Sequence, residues 1–260
     1  MIVAVSNQKG GVGKTTIAVH AAYYLQRLGV DVLLIDCDPQ GNATSWLLGG
    51  DLSFSGLYKA LTEDAPIQDV IREGRWGVRL IPGNTLTGQA LTMVLALIAT
   101  GQRPPTFVTD KIRSAARVAQ VVILDMPPSQ GLGFQGMLRA ADKVLIPIAP
   151  ARLSVEGILF MTDDLERMRR EAGSAPTVMG LIPNQVRRKR GKEPINEHAL
   201  YLDQVMEAFP GLVWPYIPLS VVVEEALTEG KTVFEYAPHA DVTHHFLNVM
   251  EKLAKALRVA

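Results

Sequence analysis

A four-residue apolar run, Ile2 to Val5, passes directly into Lys9-Gly10-Gly11-Val12-Gly13-Lys14-Thr15-Thr16 and then into a stretch of helical spacing. A strand, a glycine-rich loop and a helix in immediate succession leave the chain few ways to fold. Ile17, Ala21, Leu25 and Leu28 recur on one helical face, and Gly29 is placed to end the helix. Val32 to Ile35 is the next apolar run, so roughly the first 35 residues read as one right-handed βαβ unit.

The pattern continues with Val78 to Ile81, Val121 to Leu124, Val144 to Ile148 and Val178 to Ile182, separated by helical patterns. Strands apolar on both faces suit a parallel sheet covered on both sides by helices. Residues 45 to 115 are harder to read: Gly49-Gly50, Pro66, Pro82-Gly83 and Pro104-Pro105 punctuate them, and only Leu91 to Ile98 suggests a buried helix. Asp241 to Arg258 places Phe246, Met250, Leu253 and Leu257 on one stripe, as expected of a closing surface helix. With 260 residues, 48% of them hydrophobic, and no repeat or linker, a single domain over residues 1–260 is the simplest division.

The loop carries the chemistry. Glycines let backbone N–H groups converge on phosphate oxygens, and the helix N-terminus adds partial positive charge. In such a loop Gly10, Gly11, Val12 and Gly13 cradle phosphates, Lys14 bridges the β- and γ-phosphates, Thr15 binds Mg²⁺ through its hydroxyl and Thr16 contacts the α-phosphate. Asp125 ends an apolar strand, where packing explains an acid poorly and Mg²⁺ held through its water shell explains it well. The ordinary pattern requires glycine five residues before Gly13; this chain has Gln8 there, and a second lysine, Lys9, at the loop entrance. Lys14 already serves the bound phosphates, so the Lys9 ammonium is free to project toward a nucleotide held by a second subunit.

In these features the chain resembles the ParA/MinD family of deviant Walker A ATPases, and in particular short ParA-type partition ATPases. Lys9 to Thr16 matches K-G-G-x-G-K-T-T, Asp36 to Thr44 matches D-x-D-P-Q-x-N-x-T, and Val122 to Ser129 looks like the Walker B strand and following switch. Weaker likeness runs through Ile146 to Gly157 and Tyr216 to Lys231, while residues 45 to 115 resemble nothing specific. The resemblance implies a P-loop NTPase fold, ATP and Mg²⁺ as cofactors, and an ATP sandwich homodimer in which Lys9 crosses to the partner's nucleotide. It assigns Asp38 to the attacking water, beside Thr15 and Asp125 at the metal. Asn184 and Pro218 fall where relatives contact adenine, and Pro127, Pro128 and Ser129 where the switch reports on the γ-phosphate.

Lys+Arg and Asp+Glu number 26 each, so any polyanion must be held by a local patch. Arg187, Arg188, Lys189, Arg190 and Lys192 form one, with no aromatic stacking motif or recognition helix beside it. Such a patch reads phosphate charge rather than base sequence. With the family's non-specific DNA binding in view, the expected role is an ATP-gated, nucleoid-associated partition ATPase reset by a ParB-like or other cargo-adaptor protein.

Competing readings are a MinD-like membrane-associated regulator, using the basic and apolar residues of the terminal helix, and a metabolic ATP-dependent enzyme on the same fold. A single cysteine, Cys37, argues against an iron–sulfur relative and for a reducing cytoplasm. The direct entry into a strand leaves no room for a signal peptide or a helix-turn-helix arm. His244 and His245 are expected on the solvated surface, Asp241 with His245 being too few ligands for a metal.

Overall fold

In the computed structural model, residues 1–128, 131–150, 154–189 and 193–259 are described. The strands are β1 (Ile2–Val5), β2 (Val32–Asp36), β3 (Arg72–Glu73), β4 (Arg79–Ile81), β5 (Val121–Asp125), β6 (Lys143–Ile148) and β7 (Thr177–Pro183). The first helices are α1 (Lys14–Arg27), α2 (Asn42–Leu47), α3 (Gly56–Thr62), α4 (Leu86–Ala99), α5 (Phe107–Arg113) and α6 (Leu132–Arg139). They are followed by α7 (Ser154–Ala172), α8 (Asn196–Ala208), α9 (Val221–Thr228), α10 (Val233–Tyr236) and α11 (Asp241–Leu257).

The strands form one sheet in the order β3-β4-β2-β5-β1-β6-β7, parallel throughout except for the edge pair β3 and β4. Successive side chains on a strand point to opposite faces, and each face has its own core. Ile2, Ala4, Leu33, Ile35, Val122 and Leu124 pack against helices from α3 to α7. Val3, Val5, Leu34 and Ile123 pack on the other face against α1, α2 and α11. This is the expected α/β architecture, with helices on both faces.

β1 lies in the interior of the sheet, between β5 and β6, so the loop leaving it opens at the C-terminal edge of the strands. That edge is where parallel α/β sheets bind ligands. Gly29 ends α1 in the left-handed region at φ +78°, as its position requires. Leu28, expected on the buried face, is exposed, because α1 ends at Arg27 and Leu28 is its C-cap, outside the helical period.

Two further expectations change. The Leu91 to Ile98 run lies in α4, but only Ala90, Leu91 and Val94 there are buried along with Thr87, and Met93 is exposed, so the helix is covered on one side only. His245 is not solvated: its Nδ1 lies 2.9 Å from the Tyr216 carbonyl oxygen, and its ring packs on Tyr216 at 4.8 Å. In α11, Phe246, Val249, Met250, Leu253 and Leu257 are buried, so the apolar stripe is the packing face of the helix. Among the described residues, no helix is long and apolar enough to cross a membrane.

His20 shows how α1 is locked. It is wholly buried between Trp46, Phe234 and Phe246, and Nε2 accepts the Val233 N–H at 3.0 Å while Nδ1 sits 2.7 Å from the Thr16 carbonyl oxygen. An accepting Nε2 fixes the neutral tautomer with the proton on Nδ1, which donates to Thr16. Burial pushes the imidazole down to about 4, with the Thr16 bond pulling weakly the other way. The unfolded chain protonates His20 near pH 6.5, so stability is full above that pH and falls as pH drops toward 4, by about 3 kcal/mol at pH 4. His20→Phe removes this titration and leaves the buried carboxylates unchanged. Its deficit in urea denaturation relative to the parent should therefore narrow by about that amount between pH 7 and pH 4; a constant deficit would contradict the neutral-histidine lock.

Candidate functional site

The loop after β1 turns on two left-handed glycines, Gly11 at φ +73° and Gly13 at φ +90°. At Gly13 the requirement is doubly strict, since a Cβ there would overlap the Asn184 amide. The loop's carbonyls are held from outside by two consecutive carboxamides at the end of β7. Asn184 Nδ2 donates to Val12 O at 2.9 Å, and Gln185 Nε2 donates to Gly11 O at 2.8 Å. With these carbonyls turned away, the loop N–H groups are left for an anion. Gln185 reaches its position with φ +60°, a left-handed conformation that a non-glycine residue adopts only where surrounding contacts hold it.

Lys14 is buried, and its Nζ donates to the Lys9 carbonyl oxygen at 3.1 Å across the loop. Burial lowers its ammonium from the ordinary lysine value, while Asp125 and Asp38 pull it back up. Lys9 differs in kind. It is exposed, its backbone N–H donates to Asn7 Oδ1 at 2.9 Å, and its ammonium pairs with no described residue. Gln8, standing where the ordinary motif has glycine, donates from Nε2 to Asp164 Oδ2 at 2.7 Å and so ties the loop to α7.

Facing the loop are three acids. β2 and β5 are neighbours in register, so Asp36 lies beside Asp125, and Asp38 follows two residues beyond β2. Asp36 accepts hydrogen bonds from Thr44 N and Thr44 Oγ, both at 2.8 Å, and from Asp38 N at 3.1 Å. Burial pushes Asp36 up to about 7 against those bonds. Asp125 is fully buried, and neither of its oxygens has a well-aligned hydrogen-bond donor. Burial and the charge of Asp36 raise it well above the carboxylate range, and the neighbouring Thr15 hydroxyl and Lys14 offset this only in part. A buried, unsatisfied carboxylate beside a threonine hydroxyl offers hard oxygen donors of the kind a divalent cation takes, with its remaining ligands drawn from water or phosphate oxygens. The Cys37 thiol between Asp36 and Asp38 is fully buried and raised by that burial.

The structure places Lys9, Gly10, Gly11, Val12, Gly13, Lys14, Thr15 and Thr16 in the loop and the first turn of α1, with Asp38 and Asp125 neighbouring Lys14. Asn184 and Pro218 also converge: Val186, two residues beyond Asn184, pairs with Pro218. The Asn184 amide N–H is committed to the loop, however, a use that its adenine assignment did not foresee. Asp36, Gln185 and His20 were missed as contributors. Asp36 carried a signal, an acid closing an apolar strand as Asp125 does; the other two carried none.

The basic cluster is divided. Arg187 and Lys189 are exposed, whereas Arg188 is half-buried and bridges Asp241 of α11, with Nη1 3.4 Å from His245 Nε2. Arg190 and Lys192 lie outside the described residues, as does Ser129 of the switch. Among the described residues no three histidine, cysteine, aspartate or glutamate side chains come together closely enough to hold a metal ion by themselves, the three acids opposite the loop included.

Comparison with known proteins agrees with this geometry. Residues 1–175 match the AAA domain model AAA_31. The chain is 31% identical to the chromosome-partitioning ATPase Soj of Thermus thermophilus over 261 residues, covering 99% of this chain and 97% of that protein. It superposes on a Cyanothece McdA variant in complex with ATP with a TM-score of 0.86 at 21% identity, covering 100% of this chain and 96% of the other. It also superposes on a Mycobacterium smegmatis cobyrinic acid a,c-diamide synthase bound to an ATP analogue and magnesium, with a TM-score of 0.79 at 24% identity over 98% and 94% of the two chains. A phosphate loop with a lysine at its mouth, acids at the ends of β2 and β5, and near full-length similarity to Soj lead to one assignment: the chain belongs to the ParA/MinD family of deviant Walker A ATPases.

Proposed function

We propose that this ATPase is a partition-type switch, a single domain that pairs face to face around two ATP molecules, binds DNA without sequence preference and lets go when a partner stimulates hydrolysis. The observation that carries the reading is the contrast between the two loop lysines. Lys14 is buried within its own loop, while Lys9 stands exposed at the mouth, its ammonium paired with no described residue.

Magnesium fits the acids opposite the loop. Thr15 and Asp125 would hold it, with Asp38 alongside, and when bound it would neutralise charge on the phosphate oxygens. The chain's own groups do the rest. Loop N–H groups and Lys14 grip the phosphates, Thr16 meets the α-phosphate, and Asn184 and Pro218 border the adenine. Asp38, held by the Gln40 N–H on its Oδ1 at 2.9 Å, orients the attacking water.

Arg187 and Lys189, with Arg190 and Lys192, supply the DNA contacts, and Arg188 serves as the anchor that ties their loop to α11. Two such patches on one dimer bind at high effective concentration, so pairing alone gates DNA binding. The setting is the nucleoid, and a ParB-like or other cargo adaptor is the stimulating partner. A gel shift of random-sequence DNA with ATP, ADP and no nucleotide tests the reading. Binding is expected with ATP only, and Arg187→Ala/Lys189→Ala should weaken it at least tenfold while sparing ATP turnover. Each phosphate that the variant no longer neutralises should flatten the salt dependence by about 0.9 in slope. Unchanged, salt-sensitive binding by that variant would remove the cluster from the mechanism.

A further inference from the structure

Asp38 lies in the short loop between β2 and α2, and a chain of hydrogen bonds running away from the phosphate loop sets where its carboxylate points. Within its own turn, Oδ1 accepts the Gln40 N–H at 2.9 Å and the carbonyl oxygen accepts the Gly41 N–H at 2.9 Å. The bond that joins the residue to β2 is its N–H, which donates to Asp36 Oδ1 at 3.1 Å. Asp36 is fully buried, so the orientation of its carboxylate depends on the bonds it accepts.

The other oxygen of Asp36, Oδ2, accepts twice from Thr44, from the N–H and from the hydroxyl, both at 2.8 Å. That N–H belongs to the first turn of α2, whose N-cap, Gly41, has no side chain with which to accept it. Asp36 caps the helix in its place. The hydroxyl does more. Its single proton goes to Asp36, and its oxygen accepts the Gly83 N–H at 3.0 Å. Gly83, just after β4, packs so tightly that a Cβ on it would stand 2.1 Å from the Asp36 carbonyl oxygen. The Thr44 hydroxyl is fully buried between these two backbone segments, and one orientation satisfies both of its bonds.

Capping alone does not require threonine, because any residue but proline at position 44 supplies the N–H. What the hydroxyl adds is a second bond to the same oxygen, anchored on Gly83. It fixes the plane of the Asp36 carboxylate, and with it Oδ1, the atom from which the Asp38 N–H hangs.

We propose that Thr44 is a positioning residue for hydrolysis. The path from Gly83 through Thr44 and Asp36 to Asp38 carries the placement of the loop after β4 to the carboxylate that directs the attacking water. The inference rests on the role proposed for Asp38 above, and it needs no contact between Thr44 and the nucleotide.

Single-turnover hydrolysis by the full chain with magnesium, beside equilibrium binding of a fluorescent ATP analogue, tests it. Thr44→Val should lose about 10- to 100-fold in rate, the scale of a misplacement of about 1 Å, while its affinity stays close to the parental value. Thr44→Ser, which keeps the hydroxyl, should recover most of the rate. In the Asp38→Ala protein the path leads nowhere, so adding Thr44→Val should change the remaining rate by less than about twofold. If the valine variant shows no cooperative melt, Thr44→Cys takes its place with the same expectations, since a thiol is a weak donor and acceptor. A parental rate in the valine variant, a serine variant as slow as valine, or a full further loss in the Asp38→Ala background overturns the positioning role and leaves Asp38 in its own. A parental rate for Asp38→Ala overturns both.

Discussion

Replacing Asp38 with alanine is expected to lower ATP turnover by roughly 10²- to 10⁴-fold, the usual effect of removing a positioned proton acceptor. Nucleotide affinity should change little, because the groups proposed to grip the phosphates are elsewhere: Lys14 and the loop N–H groups, with the carboxamides of Asn184 and Gln185 holding the loop carbonyls behind them. Asp38 is buried at the mouth and held in place by Gln40, yet it makes no bond that shapes the loop. With hydrolysis blocked, the ATP-bound dimer should persist and stay on DNA for as long as ATP is supplied. Single-turnover hydrolysis beside equilibrium binding of a fluorescent ATP analogue separates the two effects. Parental turnover in the variant would assign the water to another group.

Replacing Lys9 with alanine should have the complementary effect. Monomers should still bind ATP, but ATP-dependent pairing should weaken by roughly 100-fold or more, because a cation meeting a phosphate across an interface is among the costliest interactions to remove. Monomeric affinity is preserved because Lys9 holds the loop through its backbone, its carbonyl oxygen accepting from Lys14 and its N–H donating to Asn7, while its ammonium pairs with no described residue. Sedimentation with magnesium and a non-hydrolysable analogue gives the outcome directly. A Lys9→Ala protein that pairs like its parent would show that the exposed ammonium has no role across the interface.

Much of this architecture is legible in the amino-acid sequence alone. β1, the loop and α1 stand out because glycine spacing, an apolar run and a 3.6-residue period agree along one short stretch. Asp125 stands out because an acid ending four apolar residues has no packing explanation. What stays hidden depends on contacts between distant segments. Gln185 reaches Gly11 across 174 residues, and its left-handed backbone leaves no mark on residue type. Arg188 is indistinguishable in sequence from its neighbours, yet Asp241, 53 positions later, turns it inward. His20 sits in an ordinary helical pattern, and its burial follows from α10 and α11 closing over α1. Residues 45 to 115 are opaque because their helices are short or half-covered, so no period runs long enough to be recognised.

That opaque stretch is nonetheless fastened to the rest. Arg75 donates to the Gly230 carbonyl oxygen, in a turn where Gly230 takes the left-handed conformation at φ +62°. Trp76, at φ +62°, donates from Nε1 to Glu235 Oε1 at 2.6 Å and meets Tyr23 of α1 edge-on. Glu235 also closes the cap of α10 through Thr232. The segment is thus not an exchangeable cassette. A chimera that imports residues 45 to 115 from a relative must import matching positions at 230 and 235 as well, or the graft will loosen the first turn of α10 and, through His20, the helix that bears the phosphate loop.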